Sequence, residues 1–141
     1  MRASILTLAI LTSGGAAADG WDLIGDIGFE ETETDGEWRV VKTLPAGLEA
    51  ALGEAFTITG YYVPIQAQAY VTNFLLVPDP ADCPFCGSSG YGITLEVLAS
   101  EPLPDMPEAT EITVTGSLEL VEDPHTYQAV RLTGARPVLG N

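Results

Sequence analysis

Four side chains carry the chemistry that this sequence can offer. Cys83 and Cys86 are the only cysteines, set in the loop Cys83-Pro-Phe-Cys86-Gly87. Asp82 immediately precedes them, and His125 is the only histidine. Two thiolates fill half of a tetrahedral zinc site, so the pair needs two more donors. His125 with Asp82 or a water would complete a set suited to zinc or copper. The same two cysteines, oxidised, would close a very small disulfide loop, which adds little stability and stays reducible. Both readings stand on the residues alone.

A third chemistry is thiol–disulfide exchange, because Cys83-Pro-Phe-Cys86 resembles the redox motif of glutaredoxins. Exchange needs a first cysteine whose thiolate is stabilised at a helix N-terminus. Here Gly87-Ser-Ser-Gly-Tyr-Gly92 follows, with three glycines in six positions, and no helix is expected there. Elsewhere no Ser-His-Asp order, phosphate loop or glycosidase-like carboxylate pair stands out. No catalytic residue is assigned, and the chain reads as a binding protein more than as an enzyme.

The loop must be held by β-structure. Residues 56–65 alternate apolar and polar side chains across Gly60, with Phe56 and Ile58 on one face and Tyr61, Val63 and Ile65 on the next. A strand glycine with such a phase change predicts a bulge or bend. Further strands are expected over 69–77, 91–98 (Tyr91, Ile93, Leu95 and Val97 on one face), 112–120 and 127–134, with a proline-rich linker over 101–107. Pro45 to Gly53 predicts a short helix, with Pro45 at its first turn, Leu48 and Leu52 on one face and Gly53 at its stop. Asp35-Gly36 predicts a hairpin turn, with acidic residues Glu30, Glu31, Glu33, Asp35 and Glu37 along a solvated edge. The echo between Phe56-Thr-Ile-Thr-Gly60 and Ile112-Thr-Val-Thr-Gly116 suggests strands that coil at glycine corners. The fold class expected is mainly β: a small five-stranded OB-like Greek-key barrel with one short helix before the first barrel strand, a β-sandwich being the alternative. Tyr61, Tyr62, Tyr70 and Tyr91 are candidates for an exposed aromatic surface on such a barrel.

Met1-Arg2, the apolar run Ile5 to Leu11 and Ala16-Ala17-Ala18 have the layout of a secretory signal peptide, with cleavage expected before Asp19. The run is too short to anchor the chain in a bilayer. The organisation expected is therefore a signal peptide over 1–18, an N-terminal extension or hairpin over 19–44 and a barrel domain over 45–141, in a periplasmic protein. The chain of 141 residues carries a formal net charge of −15. With Arg2 in the leader, Arg39, Lys42, Arg131 and Arg136 face 20 acidic side chains. Such a surface excludes nucleic acid and anionic membranes as partners, since both need cationic side chains to replace their counterions.

Gly60-Tyr-Tyr-Val-Pro64, Phe74-Leu-Leu-Val-Pro78 and the cysteine loop that follows resemble the core pattern of a family of exported bacterial proteins of unknown function with an OB-like barrel. The resemblance spans residues 45–137. It implies a periplasmic role in metal handling, possible partners among transport components, and a link to zinc uptake. The chain departs from the family after Cys83, where Pro84-Phe85-Cys86-Gly87 replaces a His- or Pro-rich stretch. The function expected from residues and resemblance together is a metal-binding accessory protein, with zinc as the cofactor and Cys83, Cys86, His125 and Asp82 as ligands. The alternatives are a binding or structural module with a Cys83–Cys86 disulfide, and a thiol–disulfide redox protein.

Overall fold

The computed structural model describes residues 20–81 and 93–138. Asp82, Cys83, Cys86 and Tyr91, like residues 1–19, lie outside the described residues. Nine elements follow in chain order: α1 (Gly20–Gly25), β1 (Gly28–Thr34), β2 (Glu37–Thr43), α2 (Ala46–Ala51), β3 (Ala55–Pro64), β4 (Tyr70–Val77), β5 (Leu95–Pro104), β6 (Glu111–Leu120) and β7 (Val130–Pro137).

The last five strands close into a barrel in the order β3-β4-β5-β7-β6, with β6 returning to β3. Every pairing is antiparallel except β5 with β7. This is the OB-like Greek key, and closure of one sheet rules out the sandwich. Period-two alternation fills the interior. Ile58, Tyr62, Phe74, Leu76, Leu95, Val97, Val114, Leu118 and Leu132 are all buried inward-facing residues of the strands. Each such side chain contributes roughly 1.5–3 kcal/mol on full burial. None of the described polar or charged residues is buried, so the core is held by apolar packing.

Local signals produce the elements that precede the barrel. Asp35 (φ 55°) and Gly36 (φ 77°) are both left-handed, as a two-residue hairpin turn requires. They join β1 to β2 in register from Glu37 back to Gly28. The acidic side chains of the hairpin are exposed, as a solvated edge demands. Pro45 starts α2, Gly53 ends it at φ 76°, and Leu48 on its inner face is fully buried.

Three expectations are corrected. First, the inward phase of β3 continues through Ile58, Gly60 and Tyr62 with no register shift at the glycine. Gly60 answers a close approach instead: a Cβ there would stand 2.7 Å from Trp21 Cζ2 and 3.0 Å from the Val77 carbonyl. Trp21 sits in α1, 7% exposed, and its Nε1–H donates to the Thr59 carbonyl at 2.6 Å. The bend falls at the second echo, where Gly116 lies at a register shift between β6 and β7.

Second, β5 starts at Leu95, not Tyr91, and runs through the expected linker to Pro104. Leu95 and Val97 point inward, whereas Ile93 is exposed. Pairing with β7 stops at Ala99, so the tail of β5 is bonded to β4 alone. A one-sided strand tolerates Pro102 and Pro104 because their missing N–H groups are needed on only one edge. Third, β7 starts at Val130, three residues later than expected, which leaves Tyr127 and Gln128 in the β6–β7 connection.

Candidate functional site

The β1–β2 hairpin lies across the β6–β7 connection. The Val40 N–H donates to the Pro124 carbonyl at 2.7 Å. Lys42, which precedes its partners by 79 to 86 residues in the sequence, reaches into that connection and donates from Nζ to three carbonyls: Val121 (3.1 Å), Asp123 (2.8 Å) and Gln128 (2.5 Å). Burial pushes the Lys42 ammonium below the ordinary lysine value, while the charge of Asp123 acts the other way. One cation thus gathers the connection into a fixed loop. Rings complete the contact: Tyr127 meets Phe29 edge-on, centroids 5.6 Å apart, and Trp38 at 5.9 Å.

This docking builds one wall of a groove of about 470 Å³. Its floor is the outer face of β4 and β5, where Leu75 and Glu96 are cross-strand partners between inward-facing neighbours. Ile65, from the β3–β4 connection, and Tyr127 and Gln128, from the β6–β7 connection, flank that floor. Ile24, Ile27 and Phe29 close it from the N-terminal side. In barrel order these are the face of the second and third strands, the loop between the first and second, and the loop between the fourth and fifth. OB barrels bind their ligands on that face and with those loops. The volume lies in the range of small-molecule pockets, and an apolar lining with a few polar groups is their usual make-up.

Polar atoms are few. The Gln128 side-chain amide donates to the Glu96 carboxylate in a very short hydrogen bond. Thr94 and Thr126 also line the groove. Glu96 is the single charged side chain among the described lining residues. Arg131 stands opposite it across the β5–β7 pair, but its guanidinium donates to Glu119 at 2.6 Å. That hydrogen bond, first, and the charge of Glu119 raise the Arg131 pKa, burial opposes them, and the charge of Glu96 adds a smaller push upward.

His125 is on the surface of the β6–β7 connection. Its Nδ1 lies 2.9 Å from the Trp38 carbonyl, and its Nε2 lies 3.7 Å from Glu37 Oε1. A carbonyl only accepts, so Nδ1 carries a proton, and Nε2 is the nitrogen on the Glu37 side of the ring. The Asp123 carboxylate accepts from the His125 backbone N–H at 2.9 Å, which fixes the turn. Arg39 donates to Glu37 at 2.7 Å and holds that carboxyl below the usual range, with His125 acting in the same direction. Among the described residues no group of three or more histidine, cysteine or acidic side chains is placed to hold a metal. The other three expected ligands, Cys83, Cys86 and Asp82, lie outside those residues.

Among the described residues, the three candidate tyrosines do not share one exposed surface. Tyr62 is fully buried and its hydroxyl donates to Asp105 at 2.7 Å, Tyr61 is half-buried, and Tyr70 is exposed. The aromatic cluster is Phe29, Trp38 and Tyr127, which sequence reasoning did not select. The Asp35-Gly36 turn contained part of the signal. Hairpin register puts Phe29, Val40 and Trp38 on one face, and that face is the docked one.

No protein-family model and no curated protein matches the chain. Among solved structures it is similar to a DUF3299 family protein from Pseudomonas aeruginosa, at 18% identity and a TM-score of 0.43, over 71% of this chain and 69% of that one.

Proposed function

We propose that this chain is an exported, periplasmic binding module that takes a small, largely apolar ligand in the groove on the β4–β5 face. The observation that carries the reading is the coincidence of an apolar cavity with the ligand-binding face of an OB-like barrel. Nucleic acid, a frequent ligand of such barrels, does not fit a face with one carboxylate and no lysine or arginine among its described lining residues. The test is binding of a neutral solvatochromic dye to the full chain and to Leu75→Asp. Leu75 is half-buried on the outer face, so the substitution leaves the core intact and places a second carboxylate on the floor. Saturable binding that is lost in the variant supports the reading. Absent binding, or equal binding to both proteins, refutes it.

A second reading keeps metal handling, with zinc bound through Cys83, Cys86, His125 and Asp82. What supports it is the set of His125 bonds, since an imidazole that donates Nδ1–H to a carbonyl has its Nε2 oriented for ligation. Topology agrees: the connection that contains the cysteines joins Val77 to Leu95, at the barrel end where the β6–β7 connection also lies. Zinc would supply a structural or transferable cation there and no reaction step. Metal content of the purified chain decides it. Near-zero zinc in both the natural chain and Cys83→Ser/Cys86→Ser sinks this reading, whereas zinc that disappears in the double variant and falls in His125→Ala supports it.

A further inference from the structure

We infer that the ligand of the groove is an amphiphilic cation, with an apolar body and an ammonium or quaternary ammonium head. The inference rests on the groove being a ligand site, and it adds the sign of the ligand's charge. Three observations converge. Glu96 puts one carboxylate on the floor, and no lysine or arginine stands among the described lining residues. The nearest guanidinium, Arg131, is bonded to Glu119, so Glu96 and Glu119 together exceed it by one negative charge. Gln128 donates to Glu96, which holds the carboxylate in place without neutralising it.

The second observation is aromatic. Phe29 and Tyr127 both line the groove, 5.6 Å apart, with Trp38 behind Tyr127. Ring faces attract cations, most strongly where water is partly excluded, and aromatic walls beside a carboxylate suit a quaternary ammonium group. The third is the apolar remainder. Ile24, Ile27, Ile65, Leu75 and Ile93 also line the groove, and an alkyl chain buried against them gains about 0.8 kcal/mol per methylene. An anionic amphiphile would meet Glu96 at close range and the field of a strongly acidic chain beyond it. At about 470 Å³ the groove suits a small molecule more than a folded partner.

The experiment uses the full chain and three probes with one tail: octyltrimethylammonium, octanol and octyl sulfate, titrated below micelle formation with calorimetry and the fluorescence of Trp21 and Trp38 as readouts. Octyltrimethylammonium is expected to bind at least about tenfold more tightly than octanol, a difference of about 1.4 kcal/mol, and octyl sulfate more weakly than either. Glu96→Gln should reduce the preference for the cation over octanol several-fold. Glu108→Gln, an exposed change away from the groove, should leave that preference unchanged, which separates a local carboxylate from the overall charge. Tyr127→Leu keeps the apolar contact and removes the ring, so it should weaken the cation more than the alcohol. Equal binding of cation and alcohol, or a Glu96→Gln variant that keeps the full preference, overturns the inference while the groove stands. Binding of none of the three overturns the groove as well.

Discussion

Lys42 is the residue whose removal tests the site most directly. Its ammonium donates to the carbonyls of Val121, Asp123 and Gln128, and so a single hairpin side chain is bonded to three carbonyls spread along the β6–β7 connection. Lys42→Met keeps the aliphatic stem and deletes the cation. A hydrogen bond with a charged partner contributes about 1.5–3 kcal/mol. The three share one ammonium, and Lys42 is only half-buried, so water recovers part of the loss and the values do not add. A loss of about 2–4 kcal/mol is expected, a large share of the stability of a domain this size. Urea unfolding measures it without screening the charge under test. Amide exchange adds a local readout, because the Val40 N–H bonded to Pro124 should lose protection when the hairpin lifts. Groove binding should weaken in parallel, since Gln128 carries both a caged carbonyl and the amide that holds Glu96. Lys42→Arg should recover little, because a planar fork does not reproduce a compact three-way donor. A Lys42→Met protein within about 0.5 kcal/mol of the natural one, the range of an unremarkable surface change, with Val40 still protected, would refute the reasoning.

Two further outcomes are expected. Gly116→Ala would bring a Cβ to 2.7 Å from the Thr133 carbonyl and 3.1 Å from Ala135 Cα. Backbone cannot yield as a side chain can, so unfolding experiments should show a loss of about 3 kcal/mol; Gly53→Ala, strained at φ 76° but in open space, should cost only about 1 kcal/mol. Tyr62 is pushed up to about 12 by burial first and by its hydrogen bond to Asp105 second. A folded-state pKa raised in this way makes its stabilisation complete below the ordinary phenol value of 10.0 and removes it as pH rises toward about 12. Tyr62→Phe should therefore be less stable at neutral pH by about 1 kcal/mol, the net contribution of one hydrogen bond, and the gap to the natural chain should close over that alkaline window. Parallel pH–stability curves would contradict this.

Features set by near neighbours were legible in the sequence. Asp35-Gly36 specifies a turn because both residues must adopt positive φ, and few pairs do so easily. Pro45 and Gly53 bound α2 for equally local reasons. Alternation over about eight to ten residues identified the strands, and five of them at this spacing pointed to the barrel. The ends of strands were harder. Whether Pro102 and Pro104 interrupt β5 depends on which of its edges has a partner, and residues 101–104 carry no sign of that.

The site belongs to the tertiary structure for the same reason. Chemistry visible in the residues drew attention to two cysteines and a histidine, since rare side chains announce themselves wherever they stand. The groove uses common ones. Leu75 and Glu96 meet only because β4 and β5 pair in one register, and Phe29 reaches Tyr127 only because the hairpin folds back over a connection some 100 residues away in the chain. His125 shows the contrast within one residue. Its ability to bind a metal was plain from its type, but the nitrogen it presents was decided by the Trp38 carbonyl, 87 positions distant. A sequence determines local conformation through steric preferences that act over a few residues. Which surfaces then meet is decided by closure of the barrel, which gives each of its five strands two neighbours and leaves its outer faces and loops to form a site.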